Sequence, residues 1–275
     1  MFSPYYARVR GRTERGAADA MNHCAFNVAL YGAGGKRWAM TERGARHVER
    51  HAQMLRVGPS DVQWDGTTLT LTIDEVTVPW PSRLRGTVKL HPSALMTQPY
   101  ALDTAGRHRW QPIAPCARVE VALESPALRW SGPGYLDTNQ GDVPLERDFV
   151  RWDWSRAAMS GGRTAALYDV SRRDGTPLTL ALAFGADGSV EPVEPPPRAR
   201  LNAGLWRVER GTRSDAGTAA RVEQTLEDAP FYARSVVSAT LLGQPVRAVH
   251  ESLSLERFSA AWVRMLLPFR MPRRG

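Results

Sequence analysis

Four side chains able to take part in acid–base chemistry come from two short segments of the chain. His108 and Trp110 form one pair, and Tyr135 and Asp137 form the other, with one residue between the members of each pair. If both segments are extended, the members of each pair project to the same face of their strand. Two such strands in one β-barrel would bring an imidazole, an indole, a phenol and a carboxyl group into one lumen. The spacing therefore predicts a candidate catalytic group.

An ordinary protein core would produce the same spacing. Aromatic residues at alternating strand positions commonly pack in the interior, and the sequence Asp-Thr-Asn at 137–139 is common in turns. Three more tryptophans of this region would either line a pocket or fill a core: Trp130, Trp152 and Trp154. Composition and spacing alone favour the core interpretation and leave the catalytic one open.

The elements that hold these residues are predicted to be mainly β-strands. Residues 69–73 alternate leucine or isoleucine with threonine, which is typical of a strand with one solvated face. The dipeptide Asp174-Gly175 separates two apolar segments within 166–182 and predicts a hairpin. A second hairpin is predicted over 235–250. Many short strands with regular turn signals predict an all-β sandwich or barrel.

One helix is predicted near the C-terminus, over residues 256–267. Pro268 would end this helix, whose apolar face consists of Phe258, Trp262, Met265 and Leu266. The tail that follows, 269–274, mixes arginines with apolar residues. Such a tail would either contact a bilayer surface or fray as a terminus.

The length of 275 residues allows two domains of ordinary size, each with its own core. The pattern of residues changes near Ile113-Ala114-Pro115, between two strand-rich halves. We therefore predict one β domain over residues 1–115 and a second over 116–275.

The chain is strongly basic, with a formal net charge of +8. Only Lys36 and Lys89 of its 36 basic residues are lysines, and this arginine excess fits either codon bias or an anionic partner. No zinc-finger spacing, recognition helix or aromatic–glycine RNA motif is found, which argues against nucleic acid. A membrane surface is the better candidate, because anionic lipid attracts basic proteins.

Several other classes of protein are excluded by missing patterns. No apolar run reaches the roughly 18 residues of a membrane-spanning helix, and the first eight residues lack an apolar signal core. We therefore expect the protein to stay in the compartment where it is made. No phosphate-binding loop or nucleophile elbow is found.

Metal ligands and disulfides are not predicted either. Cys24 and Cys116 are too few for a disulfide framework and lack metal-ligand spacing, so both should be reduced. His47 and His51 lie four residues apart on a possible helix but have no third ligand. We expect these two histidines to be surface residues.

Longer motifs point to one family. In order, they are Phe2-Ser3-Pro4-Tyr5-Tyr6, Asn22-His23, Asn27-Val28-Ala29-Leu30-Tyr31-Gly32, Trp38-Ala39-Met40-Thr41-Glu42-Arg43-Gly44, His108-Arg109-Trp110, Gly134-Tyr135-Leu136-Asp137, Arg151-Trp152-Asp153-Trp154, Leu226-Glu227-Asp228-Ala229-Pro230-Phe231-Tyr232-Ala233-Arg234 and Leu267-Pro268-Phe269-Arg270. With these motifs, the chain resembles the bacterial carotenoid 1,2-hydratases, also called hydroxyneurosporene synthases, almost from end to end.

This resemblance implies two lipocalin-like antiparallel β-barrels and a lyase that needs no cofactor. The family adds water to the terminal double bond of acyclic carotenes such as neurosporene and lycopene, which gives a tertiary alcohol in carotenoid biosynthesis for photosynthesis. It also implies a cytoplasmic protein bound peripherally to the inner or intracytoplasmic membrane, with other carotenoid-pathway enzymes as partners. The family's functional residues map onto His108, Trp110, Tyr135 and Asp137. Thr138 and Gln140 differ from the residues common among wider relatives.

The predicted chemistry assigns a role to each residue. Asp137 would protonate the less substituted alkene carbon, because burial raises the pKa of a carboxyl group. Trp110 and Tyr135 would stabilise the tertiary cation through their ring faces, and His108 would position or deprotonate the attacking water. Further pocket lining would come from Trp130, Trp152 and Trp154.

Two alternative functions remain at this point. The same barrels would suit a carrier that binds a carotenoid or another apolar chain without changing it. A related two-barrel enzyme would act on another isoprenoid or on a polyketide. An acid beside cation-stabilising rings favours an enzyme, because a carrier has no use for it.

Overall fold

The structure is a computed structural model that describes residues 3–12, 19–32 and 35–274. Phe2, in the first resemblance motif, lies outside the described residues. Strands dominate the described chain, and its helices are short. The predicted all-β class with a short C-terminal helix is confirmed.

The strands alternate with tight turns over most of the described chain. In chain order they are β1 (Asn27–Leu30), β2 (Arg37–Met40), β3 (Glu42–Arg43), β4 (Val48–His51), β5 (Met54–Val57), β6 (Ser60–Trp64), β7 (Leu69–Val76), β8 (Arg83–Pro92), β9 (Tyr100–Ala101), β10 (His108–Ser125), β11 (Ala127–Gly141), β12 (Phe149–Ala158), β13 (Thr164–Arg172), β14 (Pro177–Phe184), β15 (Val190–Pro192), β16 (Arg198–Leu201), β17 (Arg210–Arg213), β18 (Arg221–Asp228), β19 (Tyr232–Leu241), β20 (Gln244–Ser254) and β21 (Arg273–Arg274).

Hydrogen bonding joins most strands into two large sheets. One runs in the order β11-β10-β8-β7-β6-β5-β4, with β9 paired to β10. The other runs in the order β15-β14-β13-β12-β20-β19-β18. The remaining strands form the pairs β1-β2, β16-β17 and β3-β21. In the strand order of the described residues, each large sheet is an open path, and both predicted hairpins, β13-β14 and β19-β20, are confirmed.

The helices are α1 (Pro4–Arg12), α2 (Leu145–Asp148), α3 (Leu255–Ser259) and α4 (Ala261–Arg270). Short 3-10 segments cover Ala20–His23, Ala45–His47 and Ser160–Gly162. The single helix predicted over 256–267 is therefore two helices, and Pro268 lies inside α4 instead of ending it. None of the helices in the described residues has both the length and the apolar character to cross a membrane.

Two compact units divide the chain. The first contains Met1–His91, Arg118–Gly132 and Arg264–Gly275, and the second contains Pro92–Ala117 and Pro133–Val263. The domain boundary predicted near residues 113–115 lies inside β10, a strand that contributes residues to both units. The division into domains 1–115 and 116–275 remains a prediction.

Each unit has its own apolar core. In the first unit, a core cluster consists of Ala39, Ile73, Leu84, Val121 and Leu123. In the second, the core is larger and rich in small residues: Ala157, Met159, Ala165, Leu167, Ala181, Ala239, Leu241, Val246 and Ala248. These side chains come from neighbouring strands, so burying them fixes the sheet register on which the site depends.

The possible helix that carried His47 and His51 is not observed. His47 ends a 3-10 segment, and His51 ends β4 with most of its side chain exposed. The prediction of a helical pair was wrong because strand pairing between β4 and β5 overrides the local spacing.

Strand β12 gives the second unit two chemically different faces. Its successive side chains point to opposite sides, as in any strand. On one side, which we call the aromatic face, cross-strand register places together Trp152, Trp154, Tyr168 and Glu251. On the other side, which we call the polar face, it places together Asp153, Ser155, Asp169, His250 and Ser252.

Candidate active site

Both predicted pairs are extended, and three of their four side chains meet at one carboxyl oxygen. His108 and Trp110 belong to β10, and Tyr135 and Asp137 belong to the adjacent β11. The indole Nε1 of Trp110 donates a hydrogen bond of 2.7 Å to Asp137 Oδ2. The hydroxyl of Tyr135 donates a second, of 3.0 Å, to the same oxygen. Among the described residues, no hydrogen bond reaches the other oxygen, Oδ1.

This asymmetry fixes where a proton can reside on Asp137. An indole N–H only donates, so Oδ2 must act as the acceptor in its bond with Trp110. A neutral carboxylic acid would then carry its hydrogen on Oδ1, the oxygen without a protein partner. In its neutral form, Asp137 would thus present an O–H group that is free to donate to a bound molecule.

Aromatic rings surround Asp137 and its two donors. The ring of Tyr135 lies 5.4 Å from that of Trp154, measured between centroids. The ring of Trp110 lies 5.6 Å from Tyr100 and 5.5 Å from Tyr168, and Tyr168 lies 6.0 Å from Trp152. We call these residues the aromatic cluster: Tyr100, Trp110, Tyr135, Trp152, Trp154 and Tyr168. Such rings exclude water and stabilise positive charge over their faces.

The electrostatics of the site raise the pKa of Asp137 above that of a free carboxyl group. Burial raises the pKa of Asp137, because loss of water disfavours the carboxylate. The hydrogen bonds from Trp110 and Tyr135 oppose this shift, and the negative charge of Glu251 adds to it. Arg234 holds Glu251 in an ion pair of 2.6 Å, so that charge is fixed in place.

Two phenols near Asp137 also have raised pKa values. Burial raises the pKa of the Tyr135 hydroxyl, and the nearby Asp137 raises it further. Burial also raises the pKa of Tyr168. Both phenols therefore remain neutral donors. Arg156 lies on the aromatic face, with its guanidinium carbon 5.6 Å from the centroid of the Tyr135 ring.

His108 is buried but does not contact Asp137 through a hydrogen bond in the described structure. Its Nε2 lies 2.9 Å from Asp148 Oδ2, and its ring lies 4.7 Å from that of Phe149. Arg107 donates a hydrogen bond of 2.6 Å to the other oxygen of Asp148, which holds that carboxylate in place. A carboxylate partner requires a hydrogen on Nε2, so the lone pair of neutral His108 lies on Nδ1.

The Nδ1 atom of His108 is buried without a hydrogen-bond partner in the described residues. Gly141 makes room beside it, because a Cβ atom at position 141 would lie only 2.7 Å from Nδ1. Trp154 Nε1 is buried and unpartnered in the same way. Buried polar atoms usually have partners, so each of these two atoms is a candidate contact for water or substrate.

The remaining predicted residues fall into two groups. Trp152 and Trp154 belong to the aromatic cluster, as described above. Trp130 belongs to the first unit, where 47% of its surface is exposed. Its predicted role in substrate binding remains a prediction.

Sequence reasoning missed three residues of this site, namely Asp148, Tyr168 and Glu251. Asp148 lies in the single turn of α2, and no motif marks it as the partner of His108. Tyr168 and Glu251 both stand opposite Trp154 in the strand ladder. Their positions depend on long-range register, and only a correct pairing of β12 with β13 and β20 would have revealed them.

The polar face carries a second buried cluster. Asp153 accepts hydrogen bonds from the Ser252 hydroxyl and, at 3.2 Å, from the Gly211 backbone N–H. His250 Nε2 lies 2.7 Å from the Gly211 carbonyl oxygen. Burial raises the pKa of Asp153 to about 6 and lowers that of His250 to about 4. The void lined by Asp153, His250 and Arg213 has no room for a water molecule.

No group of three or more histidine, cysteine, aspartate or glutamate side chains with metal-binding geometry occurs in the part of the chain that the structure describes. Cys24 and Cys116 are both free thiols, as predicted.

Comparisons with known proteins identify relatives of this chain. The family model for the carotenoid hydratase CrtC matches residues 1–275. An acyclic carotenoid 1,2-hydratase from Thiocapsa roseopersicina is 55% identical over 276 residues, covering all of this chain and 67% of the relative. Another from Rubrivivax gelatinosus is 52% identical, covering all of this chain and 68% of the relative.

One solved structure shares the fold. A crystal structure of an AttH protein from Nitrosomonas europaea superposes with a TM-score of 0.60. It is 14% identical in sequence and covers 83% of this chain and 79% of that chain. This likeness supports the predicted lipocalin-like fold class and says nothing about activity. On the full-length family match and the identities above, the chain belongs to the carotenoid hydratase CrtC family.

Proposed function

We propose that this chain adds water across the terminal double bond of an acyclic carotene and forms a tertiary alcohol. The observation that carries the proposal is the arrangement at Asp137, a buried carboxyl with two donors on Oδ2 and none on Oδ1. Family membership supplies the substrate class, because the relatives named above are acyclic carotenoid 1,2-hydratases.

The first step is proton transfer from Asp137 Oδ1 to the less substituted alkene carbon. The π electrons form the new C–H bond, a tertiary cation remains on the other carbon, and Asp137 becomes a carboxylate. The hydrogen bonds from Trp110 and Tyr135 strengthen as this negative charge develops on the carboxyl group. The same two donors that oppose the raised pKa in the resting enzyme thus stabilise the product of proton transfer.

The second step is capture of the cation by water. Rings of the aromatic cluster stabilise the cation, at about 2 kcal/mol for each well-placed desolvated ring. His108 Nδ1 accepts a proton as the water oxygen bonds to the tertiary carbon. His108 and Trp110 are two residues apart on one strand, a rise of about 7 Å, so the proton donor beside Trp110 and the base act at neighbouring points of one face. Proton exchange with solvent then restores Asp137 and His108.

Asp148 is proposed as the residue that orients His108. Its carboxylate fixes the hydrogen on Nε2 and so leaves Nδ1 as the basic nitrogen. Arg107, bonded to the other oxygen of Asp148, holds that carboxylate in position. Neither residue needs to touch the substrate for this role.

The proposed setting is peripheral attachment to the cytoplasmic side of the inner or intracytoplasmic membrane. Acyclic carotenes are hydrocarbons that dissolve in lipid, so the enzyme must obtain them from a bilayer or from a neighbouring pathway enzyme. The net charge of +8 supports an anionic lipid surface over a neutral one.

The test is incubation of the purified chain with lycopene in liposomes prepared in ¹⁸O-labelled water. A product heavier by one water that carries the label identifies a hydratase. Unchanged pigment that remains bound to the protein would identify a carrier and overturn the proposal. Conversion of a different isoprenoid, with lycopene left unchanged, would overturn the substrate assignment alone.

A further inference from the structure

Helix α4 turns an apolar face outward. Its exposed large side chains are Trp262, Met265, Leu266 and Phe269, with 49%, 72%, 43% and 73% of their surfaces accessible. These positions are spaced i, i+3, i+4 and i+7, so they form one stripe along the helix. We call them the α4 stripe. The sequence pattern predicted an apolar face that includes three of these residues, Trp262, Met265 and Leu266.

The opposite side of the same helix accounts for its attachment to the protein. Val263 is buried, and so is Met271, just beyond the end of the helix. Trp38 Nε1 donates a hydrogen bond of 3.0 Å to the Arg270 carbonyl, and the Arg270 guanidinium lies 4.7 Å from the Trp38 ring centroid. Because these contacts already hold the helix, the α4 stripe is not needed for the core.

The charge around the stripe has a single sign. Residues 257–274 contain five arginines and no aspartate or glutamate. Among them, Arg264 and Arg274 are exposed. An amphipathic helix with large apolar residues on one face and arginines beside them is typical of segments that lie in the interface of an anionic bilayer.

A neighbouring loop extends the apolar character at the start of the helix. The Trp206 ring stacks on that of Trp262, with their centroids 6.0 Å apart. Leu205, the residue before it, has 87% of its surface exposed. Tryptophan is enriched at the headgroup level of membranes, because its ring is apolar and its N–H is polar.

We propose that the α4 stripe is the surface by which this protein docks on an anionic lipid bilayer. A second protein chain is a poorer occupant. Four partly exposed side chains offer well below the roughly 800 Å² that each partner contributes to a stable interface. The surrounding arginines would also repel a second copy of this basic chain, whereas anionic headgroups attract them. The proposal does not depend on the hydration reaction.

The test is co-sedimentation of the full chain with phosphatidylcholine vesicles, with and without phosphatidylglycerol. Binding should require phosphatidylglycerol and weaken as salt is added. The double substitution Met265→Ser with Phe269→Ser should weaken binding by about tenfold or more, because two exposed apolar side chains no longer enter the bilayer. Leu95→Ser, which removes an exposed leucine from a different element, is the matched control and should bind as the wild type does.

Failure of this proposal can be told apart from failure of the proposed function. The double variant should keep its unfolding temperature and its turnover of lycopene presented in detergent micelles. Equal vesicle binding by the wild type and the double variant would overturn the proposal. The proposal would also be overturned if the wild type bound neither kind of vesicle and formed a dimer that the double substitution dissociated. The stripe would then contact a second copy of the chain.

Discussion

A carboxyl group with a raised pKa lies on each face of β12, and we propose a chemical role for only one of them. On the polar face, Asp153 accepts hydrogen bonds from Ser252 and Gly211, and the void beside it has no room for water. On the aromatic face, Asp137 likewise has both of its donors on one oxygen, but its neighbours are rings. The acidity is similar in origin, but the neighbouring groups differ.

This contrast teaches that burial alone does not mark a catalytic acid. Desolvation raises the pKa of both aspartates. What separates them is their surroundings, because rings that stabilise a cation lie beside Asp137, whereas the void beside Asp153 has no room for water. A perturbed pKa becomes a functional argument only together with geometry.

The largest effect is expected from the matched substitutions Asp137→Asn and Asp153→Asn. The first removes the proton donor and should lower lycopene hydration by about 10³-fold or more, since an amide cannot protonate an alkene. The second should leave turnover within about threefold of wild type, because only a donor that reaches the substrate contributes to proton transfer. Product formation by both purified variants, with circular dichroism as the folding control, measures the difference. Full activity of Asp137→Asn would show that Asp137 is not the proton donor and that the two faces do not differ in catalytic role.

A smaller loss is expected for Asp148→Asn. Without the carboxylate, His108 no longer has its Nε2 hydrogen fixed, and kcat should fall by about 10²-fold with little change in KM. Asp142→Asn, which removes an exposed carboxylate that pairs with Arg109 at 3.4 Å, is the control and should keep normal kcat. A change of KM alone would show that Asp148 acts on substrate binding instead.

A pH shift is expected from Trp110→Phe. Activity requires protonated Asp137, so kcat should decline as the pH rises through the pKa of this group. The substitution keeps a ring but removes a hydrogen bond that lowers this pKa, so the declining limb should move to higher pH. Its maximal kcat should also fall by about tenfold, because the donor no longer stabilises the carboxylate. Trp152→Phe, which removes no hydrogen bond to Asp137, is the control and should leave the declining limb of kcat at its wild-type pH. A limb that moves to lower pH in Trp110→Phe would contradict the role of Asp137 as the acid.

The smallest effect is expected from Asp153→Asn on the polar face, where only the free energy of unfolding should change. The pKa of Asp153 is raised from 3.8 to about 6, so its contribution to stability is present at low pH and is lost as the pH rises through about 6. The shift corresponds to about 3 kcal/mol. The difference in unfolding free energy between wild type and Asp153→Asn should therefore change by about this amount between pH 4 and pH 7. Urea unfolding measures it, and a difference independent of pH would contradict a raised pKa.

Local patterns predicted much of the fold and part of the site. The i, i+2 spacing of His108 with Trp110, and of Tyr135 with Asp137, was enough to predict a shared face for each pair in an extended segment, because strand geometry is local. The hairpin around Asp174-Gly175 followed from turn chemistry in the same way.

Features that depend on long-range register escaped the sequence. The pairing of His108 with Asp148 joins residues 40 positions apart, and Tyr168 reaches the cluster only through the β12–β13 ladder. The direction of the α4 stripe could not be predicted either, because the pattern gives an apolar face but not what covers it. Each of these features is set by tertiary packing, which acts on whole strands and helices.

The most direct test of the central claim is an infrared measurement of the Asp137 proton. The account predicts that a difference spectrum between wild type and Asp137→Asn at neutral pH contains the carbonyl stretch of a protonated carboxylic acid. As the pH rises, that band should disappear with the same midpoint as the decline of kcat. A difference spectrum that contains only carboxylate bands at the pH of full activity would contradict Asp137 as the acid.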